Sequence, residues 1–162
     1  MFSKSYRTDA KIEAMTSRIA ILISGRGSNM LALANAIHDG EIPHAELALV
    51  ISDKSDAQGL THAQTRGIET LVIERRQRTR DAHDLEIIRA LKAHDIHFVC
   101  LAGYMRLLSP TFIHAFPHRI LNIHPSLLPA FPGLHAQRQA LDYGVKLTGC
   151  TCLLYTSPSP RD

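Results

Sequence analysis

Short apolar runs rich in β-branched residues alternate along this chain with stretches of helical period. Arg18–Ser24, Glu46–Ser52, Thr70–Ile73, Ile96–Ala102 and Arg119–Ile123 are four to seven residues long and apolar on both faces. That pattern predicts strands buried inside a sheet. Between them, Asn29–His38 and Ala57–Arg66 fit helices, the second closed by Gly67. The longest predicted helix runs from Thr79 to His94. Ala82, Leu85, Ile88 and Leu91 recur on one of its faces, with Asp81 early and Arg89 and Lys92 late, as the helix dipole favours. Strands alternating with helices in this order predict an α/β fold: an open, mostly parallel, Rossmann-like sheet with helices on both faces.

The two ends depart from this pattern. Residues 1–17 are polar and mixed and read as an N-terminal extension, with Met15 a candidate start. They contain no apolar core of the signal-peptide kind, so no secretory leader is expected. From Cys152 the sequence runs through Ser157-Pro158-Ser159-Pro160, which breaks strand and helix alike. Residues 152–162 are therefore expected to lie outside the fold, as a foreign tail, and 18–151 to form the domain.

Composition narrows the functional classes. Hydrophobic residues make up 45% and charged residues 20%, ordinary for a soluble domain. The net charge of +3 is spread along the chain, and no apolar stretch is long enough to span a bilayer. The basic run Arg75–Arg80 has no interleaved aromatic residues, which argues against nucleic acid. Three cysteines without a C-x-x-C pair predict neither a disulfide framework nor a zinc site, and Cys100, inside an apolar run, reads as a small core residue. A cytoplasmic protein with small-molecule partners is expected.

In open parallel sheets, ligands bind beyond the carboxyl ends of the strands. Three loops fall there. Ser24-Gly25-Arg26-Gly27-Ser28-Asn29 follows a strand and opens a helix, so it serves either as a plain strand-to-helix turn or as a phosphate cradle with Asn29 as cap or ligand contact. Met30 stands where a dinucleotide fingerprint has glycine or alanine, and no Gly-Lys pair follows, so NAD and ATP are disfavoured. Gly103–Leu108 is apolar: Tyr104, Met105, Leu107 and Leu108 either pack beneath the next short helix or wall a pocket for a flat organic molecule. The third loop, Asn122-Ile123-His124-Pro125-Ser126-Leu127-Leu128-Pro129, places an amide and an imidazole two residues apart, hence on one face of a strand end braced by prolines. An amide N–H suits a developing oxyanion, and a histidine moves protons near neutral pH. Together they suit attack of an amine on a carbonyl-like carbon. Of the ten histidines, His38, His44, His62 and His118 sit in polar company and read as surface residues.

The segments 21–29, 101–110 and 121–129, continued by Phe131–His135 and Arg138–Leu141, resemble the phosphoribosylglycinamide formyltransferases of the folate-dependent formyltransferase family. The likeness extends from Arg18 to about Thr151. It implies the formyltransferase fold with its C-terminal part missing. The implied reaction passes a formyl group from 10-formyltetrahydrofolate, as co-substrate, to the amine of phosphoribosylglycinamide, with no metal, in a monomer or weak homodimer. It assigns Gly27, Ser28 and Asn29 to the substrate phosphate, and Arg80, Met105, Arg106, Leu107 and Leu108 to the folate site. Asn122 is implied to bind the formyl oxygen as it becomes an oxyanion, and His124 to donate the proton. The family's aspartate partner for that histidine, beyond Thr151, has no counterpart here, so poor turnover is expected of the 162-residue chain. Formyltetrahydrofolate deformylase and a non-catalytic phosphosugar or folate binder are the alternatives.

Overall fold

The computed structural model describes residues 15–156. Six strands, β1 (Ser17–Ile23), β2 (Ala45–Ser52), β3 (Glu69–Val72), β4 (Phe98–Leu101), β5 (Ile120–His124) and β6 (Thr151–Tyr155), form one sheet in the order β3-β2-β1-β4-β5-β6. The first five run parallel and β6 runs antiparallel to β5. The helices are α1 (Ser28–His38), α2 (Gln58–Gln64), α3 (Arg80–Ala93), α4 (Pro110–Ala115) and α5 (Ala136–Tyr143). The expected α/β architecture is thus present, and the strand order reverses between β1 and β4, where such sheets open a ligand crevice.

Strand alternation splits the core into two layers. Ala20, Leu22, Leu49, Ile51, Val99, Leu101 and Ile120 face Ile87, Ile88 and Leu91 of α3 and Phe112 and Ile113 of α4. Ile21, Ile23 and Val50 face Met30 and Ala34 of α1 and Leu60 and Ala63 of α2. Each large aliphatic side chain so sealed contributes roughly 1.5–3 kcal/mol.

The long helix is turned from the face its apolar pattern predicts. Ala82 and Leu85 are exposed, and the buried stripe is His83, Asp84, Ile87, Ile88 and Leu91. Two polar residues enter this stripe because each finds a partner. His83 Nε2 meets the Ile73 carbonyl at 2.7 Å, and Asp84 Oδ2 accepts the Ser109 N–H at 2.6 Å. A hydrogen-bonded polar side chain can be buried where an unsatisfied one cannot.

Two expectations at the ends meet the structure unequally. Of the predicted extension, only residues 15–17 are described, and Ser17 already opens β1. Residues 152–155, expected outside the fold, form most of β6, in register from Ile120↔Tyr155 to His124↔Thr151. Alternating half-buried side chains fit the open edge of β5, and the prolines that argued against a strand come only afterwards. Residues 157–162 lie outside the described residues.

Cys100 is half-buried in β4, and burial pushes its thiol up to about 11. Cys150 and Cys152 are exposed. At pH 8, iodoacetamide is expected to label the two exposed thiols first, with Cys100 slower by roughly a hundredfold because so little thiolate forms there. Peptide mapping over a labelling time course checks this, and equal rates at all three sites would contradict the burial.

Candidate active site

The loop after β1 is shaped by close backbone approach. Gly27 caps α1 at φ 76°, and a Cβ there would lie 2.8 Å from the Gly59 Cα in α2. The Gly59 N–H donates to the Gly25 carbonyl at 3.0 Å, so α2 supports the loop from below. Ser28 and Asn29 are the first two residues of α1, and both are exposed. Asn29 therefore does not cap the helix. The cap position belongs to Gly27, which has no side chain to bond the first turn, and the N–H groups of that turn remain available to an anion.

The loop after β4 is tied to three other segments. Ser24 donates its N–H to the Gly103 carbonyl at 3.2 Å, and its Oγ accepts the Met105 N–H at 2.9 Å. Arg106 Nε donates to Asp53 Oδ2 at 2.7 Å, and Ser109, the N-cap of α4, is held by Asp84. Pinned in this way, the loop turns Met105 and Leu107 outward, 62% and 46% exposed, against the apolar tendency of both. Leu108 takes the opposite direction and is buried in the core with Phe112 and Ile113. Tyr104 is largely buried, and burial, with Asp53 and Asp84 nearby, raises its phenol well above the usual range. The wall is therefore divided: Met105, Arg106 and Leu107 line a cavity of about 180 Å³ with Arg75, Arg80, His83 and Asp84, while Leu108 does not.

The basic run is likewise divided. Arg78 bonds Glu86 and the Glu74 carbonyl, and Arg76 pairs with Glu74 at 3.2 Å. Hydrogen bonds from Ser55 and Arg76 hold the Glu74 carboxyl below its ordinary range. Arg75 and Arg80 instead face the cavity beside the second loop. Arg80 is placed there as the first residue of α3, next to the N-cap Thr79, whose side chain accepts the Ala82 N–H.

At the end of β5, Asn122 and His124 share the sheet face of Ile120, as alternation requires, and both are partly buried. Asn122 Nδ2 lies 3.5 Å from the Tyr155 hydroxyl, and His124 Nε2 lies 3.1 Å from the Phe131 carbonyl. A carbonyl only accepts, so Nε2 is the donor in this contact and Nδ1 takes no part in it. The loop beyond is held from inside. Ser126 is fully buried and shares its hydroxyl proton between the carbonyls of Ala130, at 2.6 Å, and Phe131, at 3.1 Å. Thr151 Oγ1 accepts the Leu128 N–H at 3.0 Å and donates to the Ser126 carbonyl at 2.7 Å. Among the described residues, no carboxylate lies within ion-pair distance of His124.

All three loops thus emerge at the carboxyl ends of β1, β4 and β5, and direct hydrogen bonds join the first two. The sequence pattern did not single out Asp53, Gly59, His83, Asp84, Ser126 or Thr151. Only Asp53 carried a signal, as a charge set directly after an apolar strand.

A family model described as formyl transferase matches residues 17–156. The chain is 46% identical over 147 residues to the trifunctional purine biosynthetic protein adenosine-3 of Drosophila pseudoobscura pseudoobscura, covering 90% of this chain and 11% of that protein. It is 46% identical over 127 residues to phosphoribosylglycinamide formyltransferase of Escherichia coli K12, covering 78% of this chain and 59% of the relative. Among solved structures, glycinamide ribonucleotide transformylase 1 from Symbiobacterium toebii superposes with a TM-score of 0.84 at 47% identity, covering 91% of this chain and 68% of that one. The chain therefore spans under two thirds of either relative's own length. With the sheet order, the three loops and a match that runs nearly from end to end of the described residues, the chain belongs to the formyl transferase family.

Proposed function

We propose that the protein transfers a formyl group from 10-formyltetrahydrofolate to the amine of phosphoribosylglycinamide, a step of purine biosynthesis. The observation that carries this reading is that the loops after β1, β4 and β5 leave one end of the sheet with a helix start lacking a side-chain cap, outward Met105 and Leu107 beside Arg75 and Arg80, and an amide beside an imidazole. Such an end suits a phosphorylated acceptor and a flat acidic donor meeting at a reacting carbon.

In this reading Gly27, Ser28 and Asn29 hold the acceptor's phosphate at the start of α1. Met105, Leu107 and the backbone around Arg106 and Leu108 wall the folate, and Arg80 meets its acidic end. The acceptor amine attacks the formyl carbon, and the carbonyl electron pair moves onto oxygen. Asn122 Nδ2–H donates to that oxygen as charge develops on it. The bond from the formyl carbon to the folate nitrogen then breaks. That nitrogen takes up a proton while the attacking nitrogen gives one up, with His124 in reach of the exchange. A cytoplasmic monomer or weak homodimer, with small molecules rather than nucleic acid or membrane as partners, completes the proposal. No helix among the described residues is long and apolar enough to cross a membrane.

The test mixes labelled 10-formyltetrahydrofolate with the protein, with and without phosphoribosylglycinamide, and separates free formate from formylated acceptor. Label is expected on the acceptor. Formate released equally in both mixtures would favour the deformylase reading, and binding of both ligands without any label transfer would favour a binder.

A further inference from the structure

Asp53 stands directly past the end of β2, and Arg106 comes from the loop after β4. β1 lies between those strands, so their 2.7 Å bond arches over the carboxyl end of β1, where Ser24 receives the Met105 N–H. The Asp53 side chain is 1% exposed and that of Arg106 is 37% exposed. One sealed carboxylate therefore grips the segment whose outward residues line the cavity. Among the described residues, the other Asp53 oxygen, Oδ1, is buried without a hydrogen-bond partner, as is the Tyr104 hydroxyl two residues before Arg106. A buried carboxylate with half its accepting capacity unused is a poor device for stability alone. The chain from Asp53 also leads within a few residues to Gly59, which supports the first loop through Gly25.

We propose that Asp53 is a positioning residue for the formyl donor, setting the pose of Met105–Leu107 through the Arg106 guanidinium. The identity of the ligand rests on the reading of function above, and the geometry does not. The charged bond at Arg106 joins the ties at Gly103, Met105 and Ser109 and fixes the segment between them, which keeps its outward side chains where a ligand meets them. Without the bond, the Met105–Leu107 segment loses its tie to β2 and keeps only those to Ser24 and Asp84.

The experiment uses Asp53→Ala and Asp53→Asn in the full chain, with 10-formyltetrahydrofolate and phosphoribosylglycinamide titrated separately by calorimetry. Asp53→Ala is expected to weaken donor binding about tenfold and to change acceptor binding less than about twofold. Asp53→Asn keeps an acceptor for Arg106 and is expected to hold donor binding within about threefold of the parent. Amide exchange in the ligand-free protein supplies the second readout: residues 103–107 exchange about tenfold faster in Asp53→Ala, with β5 and α3 unchanged. Unchanged donor affinity with unchanged exchange at 103–107 overturns the proposal. So does uniform acceleration everywhere, which marks a purely structural pair. If the parent binds no donor, the reading of function fails, and the exchange measurement still decides the role of Asp53. Should Asp53→Ala not fold, Arg106→Gln breaks the same bond from its exposed end and is held to the exchange readout at 103–107 alone, because the Arg106 side chain itself lines the cavity.

Discussion

On the proposed function, replacing His124 with alanine is expected to lower formyl transfer by about 10²–10⁴-fold, the usual worth of a positioned proton-transfer group. The imidazole stands at the end of β5 with one nitrogen committed to the Phe131 carbonyl, so a single nitrogen remains for chemistry. Alanine removes that nitrogen and leaves the Phe131 carbonyl with the Ser126 hydroxyl still bonded to it. The loop should therefore keep its shape, and the loss should fall on rate rather than on folding. Asn122→Ala is expected to cost about 10²–10³-fold, as removal of one oxyanion donor does. Single-turnover assays with protein in excess keep a slow parent reaction measurable, and thermal melts beside them separate rate from fold. A folded His124→Ala protein within tenfold of the parent would remove this residue from the reaction.

The second large effect is at Gly27. Alanine there must adopt φ near 76°, which costs roughly 1–2 kcal/mol for a residue with a Cβ. It also drives that Cβ to 2.8 Å from the Gly59 Cα, and a backbone atom in a helix cannot step aside as a flexible side chain would. Together these are expected to cost about 2–4 kcal/mol, which for a domain of this size lowers Tm by roughly 5–15 °C. Acceptor binding should weaken by at least about tenfold, because the start of α1 moves with its cap. Gly25→Ala is the matched control: its Cβ meets nothing within 4 Å, and its φ is not positive. If both alanines melt and bind alike, the close approach of α1 and α2 is not what shapes this loop.

The strands and loops were legible because their signals are local. The β-branched runs from Arg18, Glu46, Thr70 and Arg119 announce buried strands without help from neighbours, and glycines or prolines mark the loops. Elements whose signal is tertiary were not legible. α5 buries only Ala136 and Ala140, so its sequence shows no apolar stripe. The face of α3 turned because His83 and Asp84 are acceptable inside only when Ile73 and Ser109 come to meet them. Asp53 looks like an ordinary loop charge until the strand order brings the β4 loop across β1 to it. At the candidate site, the shared strand face of Asn122 and His124 was readable from two-residue spacing, whereas the Thr151 hydroxyl gains its bonds to Leu128 and Ser126 only when β6 lies beside β5.

The Thr151 hydroxyl, bonded to Leu128 and Ser126, has a temporal consequence. Synthesis proceeds from the N-terminus, and domains fold as their parts emerge. The strands β1 to β5 and the loops after β1 and β4 all precede α5 in the chain. The loop beyond His124 bonds within itself at Ser126, Ala130 and Phe131, but Leu128 has to wait for Thr151. Its clasp arrives 25 residues after Ser126, the separation of that bonded pair. The loop after β5 is thus the last of the three loops to gain all its bonds.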